Sequence, residues 1–389
     1  MLILAIILFL ILPIMSIPVL LIAFIKDSKY RKIYGFLLAI SLAIISFKID
    51  VKEIALDLKV YYGQMTMLKF INFSEMFEIL ISQKEPITNL MFFFIAKIGI
   101  YPIWQFITTF INYFIIFFIL SDYAKTKNIG NKTFTIVLIF AIVFMNNIFL
   151  FTGIRNTFAL MIYLCILYNE YIKQKKGIIY KILYIVPVLI HMSMIIGIII
   201  RILMSAKKHK NLIVIGLIIY AVSPNLIVQI SSLIGELPVF SDLVAKLQVY
   251  LFDARVINFN SLLHMVLLIY FIVVYYALVK KRKQENLEIT NLYKALEIIL
   301  LFNICSFNYW DIFLRWSDIS IILFTLCLMD NTKIIKIKGN PNILIVFVIF
   351  IAFFYIQYAN LKGLNISKNL DEYCYKNIIS VFDDKEGKI

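Results

Sequence analysis

The stretch LILAIILFLILPIMSIPVLLIAFI, residues Leu2–Ile25, decides the fold class because it carries no charged side chain over its whole length. About 20 mostly apolar residues in a helix are enough to cross the hydrocarbon core of a bilayer, which is about 30 Å thick. The stretch has no basic start and is longer than the apolar core of a cleavable signal peptide. We therefore predict that Leu2–Ile25 forms the first membrane helix.

Apolar stretches of similar length recur along the whole chain and dominate its composition. Of the 389 residues 62% are hydrophobic and 16% are charged, and the mean hydropathy is +0.92. Soluble domains have about 45–50% apolar and about 25% charged residues, so one soluble core could not bury this much apolar surface. We predict an all-α fold that forms a single integral membrane domain over residues 1–389, with roughly 11–13 transmembrane or re-entrant helices.

The formal net charge of +15 comes from lysines scattered between the apolar stretches, which argues against nucleic acid as a partner. Basic residues in short loops orient a membrane protein, because such loops stay in the cytoplasm. Six clusters fit this pattern: Lys26–Lys32, Lys125–Lys132, Lys173–Lys181, Lys207–Lys210, Lys280–Lys283 and Lys333–Lys338. The loops 48–86 and 223–260 then lie on the outer face.

The outer loop 48–86 and the stretch after it depart from simple crossings. In the loop, apolar residues from Phe70 to Leu80 recur at helical spacing, which predicts an interfacial helix lying along the membrane surface. Beyond it, Gly99 and Pro102 interrupt the apolar stretch. We therefore expect one short or re-entrant helix there, followed by a full crossing.

The segment from Gly177 to Met204 lies between two basic clusters, so it must begin and end on the cytoplasmic side. It is short for two full crossings, which predicts a hairpin of two short helices turning near His191. Broken helices occur at membrane depth only where protein or a water-filled cavity satisfies the freed backbone groups. Such places often line functional sites.

Arg155, Arg255 and Arg315 fall on the predicted outer face, where positive charge is disfavoured. Arg155 lies in the first turn of an apolar helix, where a cation opposes the helix dipole, and Arg315 is placed similarly beside Trp310. A phosphate bound by a guanidinium and by free helix amides would reverse this penalty. The alternative for each arginine alone is a side chain that reaches the interface from an aromatic belt. Two arginines at equivalent positions favour a shared anion.

The remaining candidates are polar groups in or beside apolar segments. His191 stands in VLIHMSM, where a histidine is either hydrogen-bonded to nearby backbone or functional. Asp57 and Tyr61 could equally be surface residues of the outer loop, and Glu85 with Pro86 could simply begin a helix. The four cysteines have no metal-ligand or disulfide spacing and no nucleotide-binding motif occurs, so we expect no cofactor.

Two segments carry a family resemblance: FTGIRNTFAL, residues Phe151–Leu160, and LIHMSM, residues Leu189–Met194, resemble the EpsG-like and Wzy-like bacterial polysaccharide polymerases. In that family a helix opens with a Gly-x-Arg-like segment, and the next hydrophobic stretch carries a histidine followed by small residues. Asn156 replaces the usual glutamine but keeps the amide. Weaker matches in the same order are Asp57 with Tyr61, Glu85 with Pro86, and Arg315.

The resemblance implies a GT-C-like polymerase of the cytoplasmic (inner) membrane with its active site on the extracytoplasmic face. Such enzymes transfer a growing glycan from undecaprenyl diphosphate to a hydroxyl of the next lipid-linked repeat unit, without nucleotide or metal. The partners implied are lipid-linked oligosaccharides, membrane lipids, and the chain-length regulator and flippase of the same pathway.

The resemblance also implies roles for the candidate residues. Guanidinium groups can stabilise the charge that builds on a leaving diphosphate, and aromatic rings can stack on sugars. The substrate-binding candidates are Arg155, Arg315, Arg255, Tyr61, Asn156 and Trp310. The group that takes the proton from the attacking hydroxyl is His191, Asp57 or Glu85, and the sequence does not choose among them.

Other functions compete with polymerisation. A flippase or transporter of lipid-linked sugars also needs an outer cavity and cations, but it often has two related halves, and no internal symmetry is seen. An outer-face glycan ligase would use the arginines in the same way with a different acceptor. A membrane acyltransferase would leave Arg155 and Arg315 unexplained, and a structural protein would tolerate the change of these arginines to lysine.

Overall fold

The computed structural model describes residues 1–48, 56–82, 85–205, 259–307 and 309–331, together with 351, 354–355 and 376–378. All regular secondary structure in these residues is helical, which confirms the all-α prediction for this part of the chain. The helices are α1 Leu2–Ile11, α2 Ile17–Lys26, α3 Arg31–Phe47, α4 Leu56–Leu68, α5 Phe73–Ser82, α6 Pro86–Ile98, α7 Ile103–Thr126, α8 Asn131–Phe144, α9 Asn147–Phe151, α10 Arg155–Leu167, α11 Ile178–Ile182, α12 Ile185–Ile190, α13 Ile195–Ser205, α14 Phe259–Gln284, α15 Asn291–Ser306 and α16 Trp310–Asp330. A π-helical turn, Tyr168–Ile172, extends α10, and a 3-10 turn, Met192–Met194, precedes α13.

Three of these helices are long and apolar enough to cross a membrane: α7, the part Leu263–Gln284 of α14, and α16. Shorter apolar helices accompany them, namely α1, α2, α6, α8 and the segments Ile178–Ile190 and Met192–Ser205. Many large apolar side chains face outwards, as on α1, where Ile3 is 74% exposed. The described part of the chain therefore has the apolar helices of a membrane-associated protein.

The first apolar stretch is not one helix, so the prediction for Leu2–Ile25 is wrong. Helix α1 ends at Ile11 and α2 begins at Ile17. Pro13 lies between them and has no amide hydrogen to continue a helical ladder. The Ser16 hydroxyl donates a hydrogen bond to the Pro13 carbonyl, 2.7 Å away, within the turn. Each helix of ten residues spans about 15 Å, half of a hydrocarbon core.

The short helix followed by a long one, expected after the outer loop, is present. Helix α6 ends at Ile98, and Gly99 takes the left-handed conformation with φ of +80°. A residue with a Cβ is strained in this conformation, so glycine is the usual residue after such a helix end. Helix α7 follows with 24 residues, enough for a full crossing at about 1.5 Å per residue.

The segment around His191 turns back on itself, as predicted. Both Tyr184, before the turn, and Arg201, after it, donate hydrogen bonds to the carboxylate of Glu170. A continuous helix would separate Tyr184 from Arg201 by about 25 Å, which is too far for one carboxylate to reach both. His191 itself has extended backbone, with φ of −149° and ψ of 118°. We call Gly177–Ser205 the hairpin and His191 its tip.

Ion pairs join the basic clusters at one end of the helical bundle. Asp122 at the end of α7 accepts from Lys32 at 2.7 Å and from Lys173 at 2.6 Å. Asp330 at the end of α16 accepts from Lys127 at 2.8 Å and from Arg282 at 2.9 Å. These contacts link the start of α3 to the ends of α7, α10, α14 and α16. We call this end of the bundle the basic end.

The length of α7 gives the distance from the basic end to the opposite end of the bundle. Asp122 lies at the basic end, and Trp104 lies in the first turn of the same helix. The rise from Trp104 to Asp122 is about 27 Å at about 1.5 Å per residue, close to the thickness of a hydrocarbon core. Side chains that contact Trp104 therefore lie at the far end of the bundle, which we call the distal end.

Two helices, α4 and α5, lie in the predicted outer loop 48–86. Phe70, Phe73 and Phe77 are 82%, 64% and 58% exposed, whereas Met76 is fully buried. Helix α5 corresponds to the predicted interfacial helix. Its placement at a membrane surface stays a prediction. The loop 223–260, except for its last two residues, and the clusters Lys207–Lys210 and Lys333–Lys338 lie outside the described residues.

Candidate functional site

A glycine-dependent break between α9 and α10 sets the position of Arg155. Gly153 has φ of +69°, and a Cβ there would lie 3.0 Å from Trp104 Nε1 and 3.1 Å from Thr108 Oγ1. The Trp104 indole also donates a hydrogen bond of 2.7 Å to the Gly153 carbonyl. Only glycine combines this conformation with this contact. The break therefore anchors the start of α10 to α7 at the distal end.

Side chains from α3 and α7 satisfy the backbone carbonyls that the break leaves open. Ser46 donates to the Phe151 carbonyl at 2.6 Å, Thr109 donates to it at 3.2 Å, and Asn112 donates to the Leu150 carbonyl at 3.3 Å. Irregular backbone at membrane depth requires such partners. The four helices α3, α7, α9 and α10 thus form a fixed frame below Arg155.

The other end of α9 is held by α16. The Asn146 amide donates a hydrogen bond of 2.8 Å to Asp318 Oδ1. The Asn146 side chain in turn caps the helix by accepting from the amide of Phe149 at 3.5 Å. Asp318 is fully buried, so this carboxyl group serves the backbone of α9 from inside the bundle.

Arg155 and Glu85 form an ion pair at the distal end. Arg155 Nη1 donates to Glu85 Oε2 at 2.8 Å, with the two side chains 20% and 14% exposed. The guanidinium lies over the ring of Tyr61, 4.6 Å from its centroid, in a cation–π contact. Burial raises the pKa of the Tyr61 phenol, and the nearby Arg155 charge opposes that rise. Glu85 is therefore more than the start of a helix, because it pairs with a cation 70 residues away along the chain.

The hairpin brings His191 to the same carboxylate. His191 Nε2 lies 3.8 Å from Glu85 Oε1, and the His191 side chain is 18% exposed. On the other side of the ring, Nδ1 accepts from the Ser193 amide at 3.3 Å and lies 2.8 Å from the Ser193 hydroxyl. Asn156 Nδ2 donates to that hydroxyl at 3.1 Å.

These contacts make one continuous polar chain: Asn156, Ser193, His191, Glu85 and Arg155. Its members come from three segments, which are the start of α6, the first turn of α10 and the tip of the hairpin. Thr88 joins the start of α6 to the tip of the hairpin, because its hydroxyl donates a hydrogen bond of 2.7 Å to the Ile190 carbonyl. The structure thus unites five of the predicted site residues, namely Glu85, Arg155, His191, Asn156 and Tyr61.

The first turn of α10 keeps unused hydrogen-bonding capacity. Arg155 Nε, Asn156 Oδ1 and Thr157 Oγ1 are buried and have no hydrogen-bond partner among the described residues. Buried polar groups without partners are uncommon in proteins and call for an explanation such as a ligand or an ordered water. A helix start with an unused guanidinium nitrogen has the donors that an anion requires.

The other predicted site residues lie apart from this chain. Asp57 is exposed in the first turn of α4, one helical turn before Tyr61. Arg315 lies in the second turn of α16, so the prediction that it opens a helix as Arg155 does is wrong. It lies against α9, its guanidinium 5.7 Å from the Phe149 ring, and its Nε is buried without a partner among the described residues. Trp310 packs at 5.3 Å edge to face with His264 and stacks on Phe313. Arg255 lies outside the described residues.

Ser193 and Thr88 are site residues that the sequence analysis did not select. A hydroxyl two residues after a histidine could have been noticed in VLIHMSM, since such a group can reach the ring. Thr88 carries no comparable sign in the sequence, because its role depends on how α6 packs against the hairpin. Among the described residues, no group of three or more His, Cys, Asp or Glu side chains is arranged to hold a metal ion.

Comparison of the chain with protein-family models, with curated proteins and with solved structures gives no match.

Proposed function

We propose that the chain is a polytopic protein of the cytoplasmic membrane that polymerises undecaprenyl-diphosphate-linked oligosaccharide repeat units at the outer face. The observation that carries the proposal is the partly buried Glu85–Arg155 pair with His191, which joins a proton acceptor to a cation whose Nε has no hydrogen-bond partner among the described residues. Support also comes from the resemblance of residues 151–160 and 189–194 to EpsG-like and Wzy-like polymerases.

The distribution of charge between the two ends of the bundle supports an orientation. The basic end gathers lysines and arginines from four of the six predicted cytoplasmic clusters, so the positive-inside rule assigns it to the cytoplasm. The Glu85–Arg155 pair then lies towards the outer face, about 27 Å away along α7. No nucleotide is available on that side, which suits a lipid diphosphate as the leaving group.

The proposed reaction is a metal-independent glycosyl transfer. A hydroxyl oxygen of the acceptor repeat unit attacks the anomeric carbon of the donor glycan and forms the new glycosidic bond. The bond between that carbon and the phosphate oxygen breaks, and its electron pair leaves with undecaprenyl diphosphate. The hydroxyl proton passes to a base at the site. Atoms and charge balance without a further reactant.

Arg155 is the residue assigned to the leaving group. Its Nη1 binds Glu85, and its Nε remains for a phosphate oxygen beside the first-turn amides of α10. Preorganised donors at a developing negative charge are worth about 10²–10³-fold in rate each. Arg315, with an unused Nε near α9, is the candidate for a second phosphate contact. Arg255, Trp310 and Asp57 stay expectations, as do the flippase and the chain-length regulator as partners.

The first test is the glycan ladder of cells that carry Arg155→Lys. Lysine keeps the charge but loses the planar fork, so we expect collapse to single repeat units. Arg201→Lys is the matched control, since Arg201 also pairs with a glutamate but at the base of the hairpin. The control should keep the ladder, and protein level and membrane insertion are measured for both variants.

The same cells separate polymerisation from transport. If the chain is a polymerase, Arg155→Lys cells accumulate lipid-linked single units on the outer face, where a membrane-impermeant lectin or glycosidase reaches them. Accumulation on the inner face would instead assign the chain to the flippase class. An unchanged ladder, with the variant present in the membrane, would remove Arg155 from the reaction and overturn the proposal.

A further inference from the structure

We propose that Ser193 and Asn156 are positioning residues that hold His191 in its Nε2–H tautomer, so that Glu85 and not His191 accepts the proton of the acceptor hydroxyl. The tautomer follows from hydrogen bonds alone. The assignment of the base rests on the proposed function. It also resolves a choice that the sequence leaves open among His191, Glu85 and Asp57.

The backbone amide of Ser193 favours one tautomer. An amide N–H can only donate, and it points to His191 Nδ1 at 3.3 Å. This contact favours a lone pair on Nδ1, so that a neutral His191 carries its hydrogen on Nε2. The Ser193 hydroxyl, 2.8 Å from the same nitrogen, then donates as well. The only ring nitrogen with a lone pair is thus enclosed by Ser193.

Asn156 sets the direction of the Ser193 hydroxyl. Its amide nitrogen donates to Ser193 Oγ at 3.1 Å, which leaves the hydroxyl hydrogen to point at His191 Nδ1. An aspartate at position 156 would accept from the hydroxyl instead, and the hydrogen would turn away from the ring. Asn156 therefore reinforces the Nε2–H tautomer through the Ser193 hydroxyl.

This tautomer leaves Glu85 as the proton acceptor. His191 Nε2–H faces Glu85 Oε1 at 3.8 Å, and Arg155 donates to Oε2 at 2.8 Å. An ionised carboxylate accepts about four hydrogen bonds, so two neighbours leave Glu85 able to accept another. Only Arg155 donates a hydrogen bond to the carboxylate, the His191 N–H faces it beyond hydrogen-bond distance, and neither neighbour has a lone pair directed at it. Glu85 is then the one group of this chain of contacts that is both oriented and able to take a proton.

The tautomer can be measured directly because the chain has only three histidines, His191, His209 and His264. The full-length protein, labelled with ¹⁵N-histidine and placed in lipid nanodiscs, is studied by NMR at mildly alkaline pH, where protonated and unprotonated ring nitrogens resonate far apart. His209→Gln and His264→Gln assign the remaining signal to His191. We expect an unprotonated Nδ1 and a protonated Nε2. A protonated Nδ1 in the neutral ring would overturn the inference.

Two variants test the positioning residues by the same measurement. Ser193→Ala removes the shorter contact to Nδ1, and Asn156→Asp reverses the direction of the hydroxyl. Each should turn the single His191 tautomer into a mixture. A single Nε2–H tautomer in both variants would mean that the amide alone decides and that neither side chain positions the ring.

Replacement of His191 then separates the two candidate bases. Glutamine keeps an N–H donor towards Glu85, whereas leucine does not. If Glu85 is the base, His191→Gln should retain several-fold more polymer than His191→Leu, and Glu85→Gln should lose about 10²–10⁴-fold in rate. If His191→Gln is as inactive as Glu85→Gln, His191 is the base and the inference fails. If all three variants leave the glycan ladder unchanged while the NMR result holds, the tautomer stands and the proposed function falls.

Discussion

Replacing Gly153 by alanine should destabilise the protein more than the same change at any other glycine with comparable backbone. The left-handed conformation at φ of +69° costs a residue with a Cβ about 1–2 kcal/mol. The new Cβ would also lie 3.0 Å from Trp104 Nε1, which donates to the Gly153 carbonyl. Overpacking of this kind costs about 1–3 kcal/mol. The sum is about 2–5 kcal/mol of unfolding free energy.

Two other glycines separate these terms. Gly99 has φ of +80° with nothing within 4 Å of its Cβ position, so Gly99→Ala should cost only the backbone term, about 1–2 kcal/mol. Gly63 lies in α4 with neither a positive φ nor a close neighbour, and Gly63→Ala should be neutral or stabilising by about 0.5–1 kcal/mol.

The assay is thermal and denaturant unfolding of the purified protein in detergent, followed by tryptophan fluorescence. Trp104 is one of three tryptophans and contacts the altered residue, so its environment reports on the break directly. If Gly153→Ala proves no less stable than Gly99→Ala, the contact with α7 does not fix this break. Arg155 would then not owe its position to the contact between Gly153 and Trp104.

Three further changes test other parts of the account. Asp122→Asn leaves Lys32 and Lys173 without their shared carboxylate and should cost about 1–2 kcal/mol of unfolding free energy, measured in the same unfolding assay, because both lysines are partly exposed and can be solvated. Glu170→Gln removes the charge that holds both arms of the hairpin, so hydrogen exchange at residues 184–201 should rise more than elsewhere; uniform exchange would contradict this role. Glu85→Gln should bind a lipid diphosphate several-fold more tightly than the wild type while losing turnover, because a neutral amide competes less for Arg155; weaker binding in a nanodisc titration would contradict the shared arginine.

The sequence predicts helices and the breaks between them better than it predicts which side chains contact each other. The turn at His191 follows from two basic clusters too close together for two crossings, and the break at Gly99 follows from glycine chemistry. Pro13 alone does not predict the break in the first stretch, since prolines are tolerated within membrane helices when neighbours satisfy the backbone. In the structure that proline ends α1 instead, and Ser16 completes the turn.

The pairing of the site residues depends on tertiary packing that no local pattern encodes. Glu85, Arg155 and His191 each stand out in the sequence for a separate reason, but nothing in their spacing shows that one carboxylate lies between the other two side chains. Stacking of Tyr61 on a sugar ring stays a prediction, and its contact with the guanidinium of Arg155 has no sign in the sequence. Contacts between α4, α6, α10 and the hairpin decide these positions.

The position of Glu85 explains why a cation such as Arg155 is tolerated at the start of a helix. A cation in the first turn of a helix opposes the helix dipole, and the Glu85 carboxylate beside it supplies the negative charge that this end of α10 favours. In the proposed reaction the attraction between Glu85 and Arg155 weakens during proton transfer. As the hydroxyl proton reaches Glu85, the carboxylate becomes neutral and its hold on Arg155 weakens. Charge builds on the leaving phosphate in the same step, so one guanidinium can pass from the base to the leaving group without either being left unpaired.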